Sequence, residues 1–187
     1  MKSVCVYCGA SMGARSAYAN AAEAFGVALA QREMRLVYGG AHVGLMGVIA
    51  DSVLAAGGHV IGVIPHSLQQ RELAHQGLSE LHVVANMAER KEKMAALSDA
   101  FVALPGGVGT LDELFETITW SDLGIHNKPS GVLDVDGYWQ PLLTMLASME
   151  SEQFVRRPWR DLLSVADSAD ALLDRLTARQ QSSATGR

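Results

Sequence analysis

The residues best suited to chemistry lie in one stretch, Pro105-Gly106-Gly107-Val108-Gly109-Thr110-Leu111-Asp112-Glu113. The apolar run 100–104 precedes it, and apolar residues at helical spacing follow it over 114–120, so it reads as a glycine-rich turn between a buried strand and a helix. Three glycines in four positions let the backbone approach a ligand with no Cβ in the way. The helix behind them offers free N–H groups and the positive end of its dipole, which suits a phosphate. Glu113 falls in the first turn, beside that anion. A phosphate cradle with an adjacent acid is one reading. The other is a capping box, with Thr110 as N-cap and Glu113 reaching back from N3, which needs no ligand.

Further candidates are scattered along the chain. Arg90 and Lys91 open a charged helix, where the dipole disfavours cations. They either hold an anion or belong to a solvated face with Glu89, Glu92 and Lys93. Glu72 lies in the long polar stretch 65–79, as a functional group or an ordinary exposed acid. Gly9 and Ser11 sit in a small-residue loop after the first apolar run, and residues 39–47 form another glycine-rich turn. His126 and Lys128 read as loop residues and Trp120 as core or interface, while His42, His59, His66, His75 and His82 lack metal-ligand spacing. Cys5 and Cys8 form a C-x-x-C, but inside a strand the two point to opposite faces and read as core thiols.

The elements that must position these groups alternate. Strands read at 3–8, 36–38, 59–64 (ended by Pro65), 81–85, 100–104 and 131–135, with an edge strand at 162–165. Helices read at 16–32, from 44 to a stop at Gly57-Gly58, at 87–97, through 123, at 138–149 and at 167–178. This predicts an α/β fold, a doubly wound, mostly parallel sheet of six or seven strands with helices on both faces. One domain spans 1–179, and the polar tail 180–187 is expected to fray. Ligands in such sheets bind outside the carboxyl ends of the strands. Residues 9–13, 39–47, 90–91 and 106–113 all fall there. No glycine loop ends in Gly-Lys-Ser/Thr, and the first turn lacks the dinucleotide fingerprint.

With 49% hydrophobic residues the chain can build a core, and a net charge of −5 with dispersed Lys and Arg argues against a nucleic-acid or anionic-membrane surface. No apolar run is long enough to span a bilayer. A cytoplasmic protein is expected.

The 105–113 stretch matches P-G-G-x-G-T-x-x-E, and the chain resembles the LOG ("Lonely guy") family of cytokinin riboside 5'-monophosphate phosphoribohydrolases, once labelled lysine decarboxylases. The resemblance spans about 3–150 and includes Val6-Tyr7-Cys8-Gly9-Ala10-Ser11, Val37-Tyr38-Gly39-Gly40, Gly44-Leu45-Met46-Gly47, Arg90-Lys91, and Ile118-Thr119-Trp120 followed by Leu123-Gly124, His126 and Lys128-Pro129. It implies a Rossmann-like fold and a homodimer with its active site near the subunit interface. It also implies hydrolysis of the N-glycosidic bond of nucleoside 5'-monophosphates, AMP and N6-modified forms included, with no metal or other cofactor. By resemblance Arg90 and Glu113 are catalytic. Glu72, Lys91, Gly106, Gly107, Val108, Gly109, Thr110, Leu111, Asp112 and Thr119 bind substrate, and Gly9 and Ser11 join them as loop contacts. Two positions depart from the family pattern, Ala88 where His is usual and Asp112 where Glu is common; the first bears on pocket shape. A rival reading is a nucleotide carrier that uses the same cradle without catalysis. A pyridoxal-dependent decarboxylase is a weaker rival, since nothing marks a Schiff-base lysine.

Overall fold

A computed structural model describes residues 1–69 and 74–185. In chain order the elements are β1 Ser3–Tyr7, α1 Ser16–Gln31, β2 Arg35–Tyr38, α2 Gly44–Ala55, β3 Val60–Pro65, α3 His66–Gln69, β4 Glu80–Val84, α4 Met87–Ala96, β5 Ala100–Ala103, α5 Val108–Asp122, β6 Ser130–Leu133, a 3-10 turn Val135–Gly137, α6 Gln140–Ser151, α7 Trp159–Leu162, β7 Leu163–Ala166 and α8 Ala169–Thr185.

The seven strands form one sheet in the order β4-β3-β2-β1-β5-β6-β7, and every pairing is parallel. The chain winds outward from β1 to β4, then returns to β5 beside β1 and winds the other way. The crevice of such a sheet lies where the direction reverses, between β1 and β5. A strand covered on both faces must be apolar throughout. β1, Ser-Val-Cys-Val-Tyr, is buried at all five positions. Val4 and Val6 join the core formed with α1, α2 and α8, while Cys5 and Tyr7 join the core formed with α4, α5, α6 and α7.

Most boundaries lie within two residues of the sequence reading. Pro65 is the last residue of β3, not the residue after it: proline lacks only a donor, and its position pairs with Val84 in register. The stretch after it, read as irregular, begins with the short α3. The seventh strand is present and parallel, so the sheet is wholly parallel. α8 starts two residues later than expected and continues to Thr185, through most of the tail expected to fray. The polar composition there marks solvent contact, while Gln and Ala keep good helix propensity.

Candidate active site at the β1–β5 crevice

The loops after β1 and β5 are stitched together at the carboxyl edge. Leu104 N–H donates to Tyr7 O at 2.9 Å, Gly9 N–H to Pro105 O at 3.1 Å, and Leu45 N–H, in the first turn of α2, to Gly9 O at 3.0 Å. This approach explains Gly106: a Cβ there would run into Thr110 Oγ1 and lie 2.8 Å from Gly9 N. A Cβ on Gly107 or Gly109 would meet nothing within 4 Å. Packing therefore demands glycine at 106 only, and the other two leave open space in front of the helix.

The N-cap of α5 is Gly107, so no N-cap side chain covers the N–H groups of the first turn. Of the two sequence readings, the capping box is not formed. Thr110 lies inside the helix, is 3% exposed and sits beneath Gly106, and Glu113 is a turn further in. Gly107, Val108 and Gly109 are exposed, Leu111 is half-buried against the α4–α5 side of the core, and Gly9 is buried while Ser11 is exposed at the rim. One contact had no sequence signal. Tyr138, after β6, donates its hydroxyl to Gly106 O at 2.5 Å and braces the loop from outside.

Arg90 reaches the same edge from α4. That helix is capped by Asn86, whose Oδ1 accepts from Glu89 N–H at 2.9 Å, while Glu89 Oε2 accepts from Ala85 N–H at 2.9 Å. With the terminus satisfied, Arg90 turns inward instead of joining a solvated face; it is 6% exposed. Its Nε donates to Val63 O and its Nη2 to Gly39 O, each at 3.2 Å, and Nη1 lies 3.6 Å from Met87 Sδ. Gly39 must be glycine, because a Cβ would occupy the place of Nη2.

Glu113 is half-buried on α5. Its main-chain carbonyl accepts from Thr117 Oγ1 at 2.8 Å, and that hydroxyl is 3.1 Å from Tyr7 OH. Burial above all, and then the Glu113 charge, raises the Cys8 thiol far above the usual range. At Cys5 burial again dominates and raises the thiol, with Glu113 adding to the rise and Arg90 opposing it. The two predicted catalytic charges thus both act on Cys5, in the middle of β1. Cys5 and Cys8 themselves are buried, free and in opposite halves of the core, as inert thiols should be.

Lys91 bridges Asp112 at 3.2 Å and Glu116 at 3.1 Å, pinning α4 to α5. Burial pulls its ammonium down, but the hydrogen bonds to Glu116 and Asp112 outweigh that and hold its pKa above the usual lysine value. Thr119 is exposed and, six residues past Glu113, faces another side of α5. Glu72 lies outside the described residues. His126 and Lys128 serve the opposite edge. The His126 ring stacks on Phe101 at 5.3 Å and accepts from Lys128 N–H at 3.3 Å, while Lys128 Nζ donates to Ala95 O at 2.8 Å. Sequence spacing showed no metal-like set among the histidines, yet the fold gathers His42, Asp51 and His75, whose ligand atoms all lie within 4.8 Å of one another.

A family model described as "Possible lysine decarboxylase" matches residues 46–176. The chain is 47% identical over 173 residues, 92% of its length and 80% of the other's, to the cytokinin riboside 5'-monophosphate phosphoribohydrolase LOG3 of Arabidopsis thaliana. It is 46% identical over 175 residues, 94% of its length and 70% of the other's, to the probable enzyme of that name LOGL6 of Oryza sativa subsp. japonica. Among solved structures, the molybdenum cofactor carrier protein from Chlamydomonas reinhardtii superposes with a TM-score of 0.72 at 20% identity, covering 95% of this chain and 98% of that one. The molybdenum cofactor binding protein from Rippkaea orientalis gives 0.71 at 20%, covering 95% and 97%. At that identity these two speak to the fold alone.

Proposed function

This chain belongs to the family described as possible lysine decarboxylase, whose curated members include the cytokinin riboside 5'-monophosphate phosphoribohydrolases above, and we propose that it is a nucleoside 5'-monophosphate N-glycosidase. It splits AMP and N6-substituted adenosine monophosphates into free base and ribose 5-phosphate. The observation that carries this reading is the open N-terminus of α5, with Gly107 as its cap and Glu113 one turn inside.

The phosphate rests on the N–H groups of 107–110, where the dipole favours an anion. Binding energy spent there anchors the sugar away from the bond that breaks. As the C1'–N9 bond lengthens its electron pair leaves with the base, and C1' takes on oxocarbenium character. Glu113 faces that charge, accepts a proton from water, and the water oxygen bonds to C1'. N9 or another ring nitrogen takes up a proton as the base departs. In this reading Arg90 orients the Glu113 carboxylate and helps the departing base accept charge. Hydrolysis of this kind needs no resident metal or redox group. Gly9, Ser11, Glu72, Lys91 and Thr119 complete the substrate contacts in this reading. A Schiff-base decarboxylase is disfavoured at Lys91, whose raised pKa leaves it protonated and non-nucleophilic.

Incubation with AMP, isopentenyladenosine monophosphate and adenosine, followed by chromatography of free base, tests the proposal. Both monophosphates should release base, with kcat/KM for adenosine at least about a hundredfold lower. Saturable AMP binding without base release would mean a carrier. Equal cleavage of adenosine would remove the phosphate anchor.

Gly109→Ala separates the loop's two roles. Its Cβ would stand in open space, and alanine is the better helix residue, so stability should rise by about 0.5–1 kcal/mol. The same methyl stands in front of the phosphate, and KM for AMP should rise about tenfold, the order of one lost bond to a charged group. Calorimetry and steady-state kinetics on one preparation read both. A more stable variant of unchanged KM would place the phosphate elsewhere.

The protein acts as a homodimer with the site near the interface. Support comes from the exposed apolar residues of α5 and the turn after it: Val108 (83% exposed), Leu123 (68%) and Ile125 (65%), on the helix that also carries Thr119. Sedimentation at the mass of one chain would refute this. No helix among the described residues is long and apolar enough to cross a membrane. A cytoplasmic location is supported by two cysteines kept free, and cell fractionation checks it.

A further inference from the structure

After β2 the chain turns through Gly39 and Gly40, the latter at φ +80°. Gly39 O accepts from Arg90 Nη2 at 3.2 Å. Gly40 O accepts from His75 N–H at 3.0 Å. One two-residue turn therefore joins the buried arginine to the segment 74–77, and an isolated antiparallel bridge between Ala41 and Ala74 reinforces the join.

The His75 side chain holds that segment down. It is 8% exposed. Its Nε2 lies 2.8 Å from Asp51 Oδ1 on α2, its Nδ1 accepts from Gly77 N–H at 3.0 Å, and the His42 ring packs edge-on at 4.7 Å. A backbone N–H can only donate, so Nδ1 is the acceptor and Nε2 carries the ring proton, which goes to Asp51. A metal ion would need the Nε2 lone pair, and histidine ligands normally donate their second N–H outward; Gly77 imposes the reverse arrangement.

We propose that the His75–Asp51 hydrogen bond is a clasp that positions Arg90 for catalysis, acting through Gly40 and Gly39. His75 and Asp51 are positioning residues, and the proposal rests on the reading above in which Arg90 takes part in the reaction. The Asp51 side chain is 55% exposed, so replacing it leaves no buried charge, and the variants should fold, which a thermal melt checks.

The test combines kinetics with amide hydrogen exchange. Asp51→Ala should lower kcat for AMP about tenfold with KM within about twofold, and Asp51→Asn, which keeps an oxygen acceptor, should recover kcat to within about threefold of native. In an Arg90→Ala background Asp51→Ala should change nothing further. Exchange in peptides covering 39–41 and 74–77 should be at least about tenfold faster in Asp51→Ala than in native protein. Unchanged exchange overturns the clasp, and so does an equal loss of kcat with and without Arg90. Zinc titration that shows stoichiometric binding lost in Asp51→Ala overturns it in favour of a metal site. If the native protein releases no base, the proposed function falls, while exchange still decides the clasp.

Discussion

Glu113→Gln should lower kcat for AMP hydrolysis on the order of a thousandfold, within the usual range for a general base, while KM moves by no more than about threefold. The substitution is nearly isosteric and removes only the charge and the proton acceptor. Its structural cost should be small, because the cap of α5 is Gly107 and glutamine keeps the size of Glu113 and one oxygen acceptor. A main-chain contact that ties this position to β1 also survives, since Thr117 Oγ1 donates to the Glu113 main-chain carbonyl. A melting temperature within about 2 °C of native, less than 1 kcal/mol in a domain of this size, is therefore expected alongside the kinetic collapse. Two secondary effects should accompany it. Loss of the charge lets the Tyr7 hydroxyl and the Cys8 thiol fall from their raised values, although burial, the larger cause, keeps both high. Near-native base release from the variant would reduce Glu113 to a bystander and remove the mechanism.

The layout of the fold was legible because a parallel sheet covered on both faces writes itself as short apolar runs, and β1 and β5 are such runs. The glycine stretch was legible for the same local reason: it joins a run of one period to a run of another. Three features depend on contacts between distant segments. Thr110 looked like an N-cap because the tetrapeptide 110–113 has the right letters, but the approach of Gly106 to Gly9 buries it and moves the cap back to Gly107. The partners of Arg90 are carbonyls 27 and 51 residues away, one inside β3 and one just after β2. A local reading could note only that a cation sat oddly at a helix start, not that its side chain turns inward to two main-chain carbonyls. His42, Asp51 and His75 come from a turn, a helix and a loop, with no shared spacing to join them. Proline at 65 misled in the opposite direction, since its usual meaning as a stop does not apply to the last residue of a strand.

Arg90→Ala should be costly in both stability and rate, and the two losses should separate when lysine is tried instead. The guanidinium satisfies Val63 O and Gly39 O in a site only 6% exposed. Truncation leaves both carbonyls without that partner, at a cost of about 1–3 kcal/mol, which is a fall of roughly 2–4 °C in melting temperature per kcal/mol for a domain of this size. On the chemical side, removing a preorganised donor and positive charge beside the reacting bond should lower kcat for AMP about a hundredfold or more. Arg90→Lys keeps the charge and can reach one carbonyl, so much of the stability should return. Rate should not return with it, because an ammonium cannot span Val63 of β3 and the Gly39 turn while presenting a third donor, as the planar fork does. Gly39→Ala offers an independent route to the same site, since its Cβ would displace Nη2 while leaving the arginine in the chain. Thermal melts and kcat measured across Arg90→Ala, Arg90→Lys and Gly39→Ala should show the lysine variant near native in stability but grouped with the other two in rate. If Arg90→Lys restores rate together with stability, the arginine holds the fold of the edge and its fork has no part in the reaction.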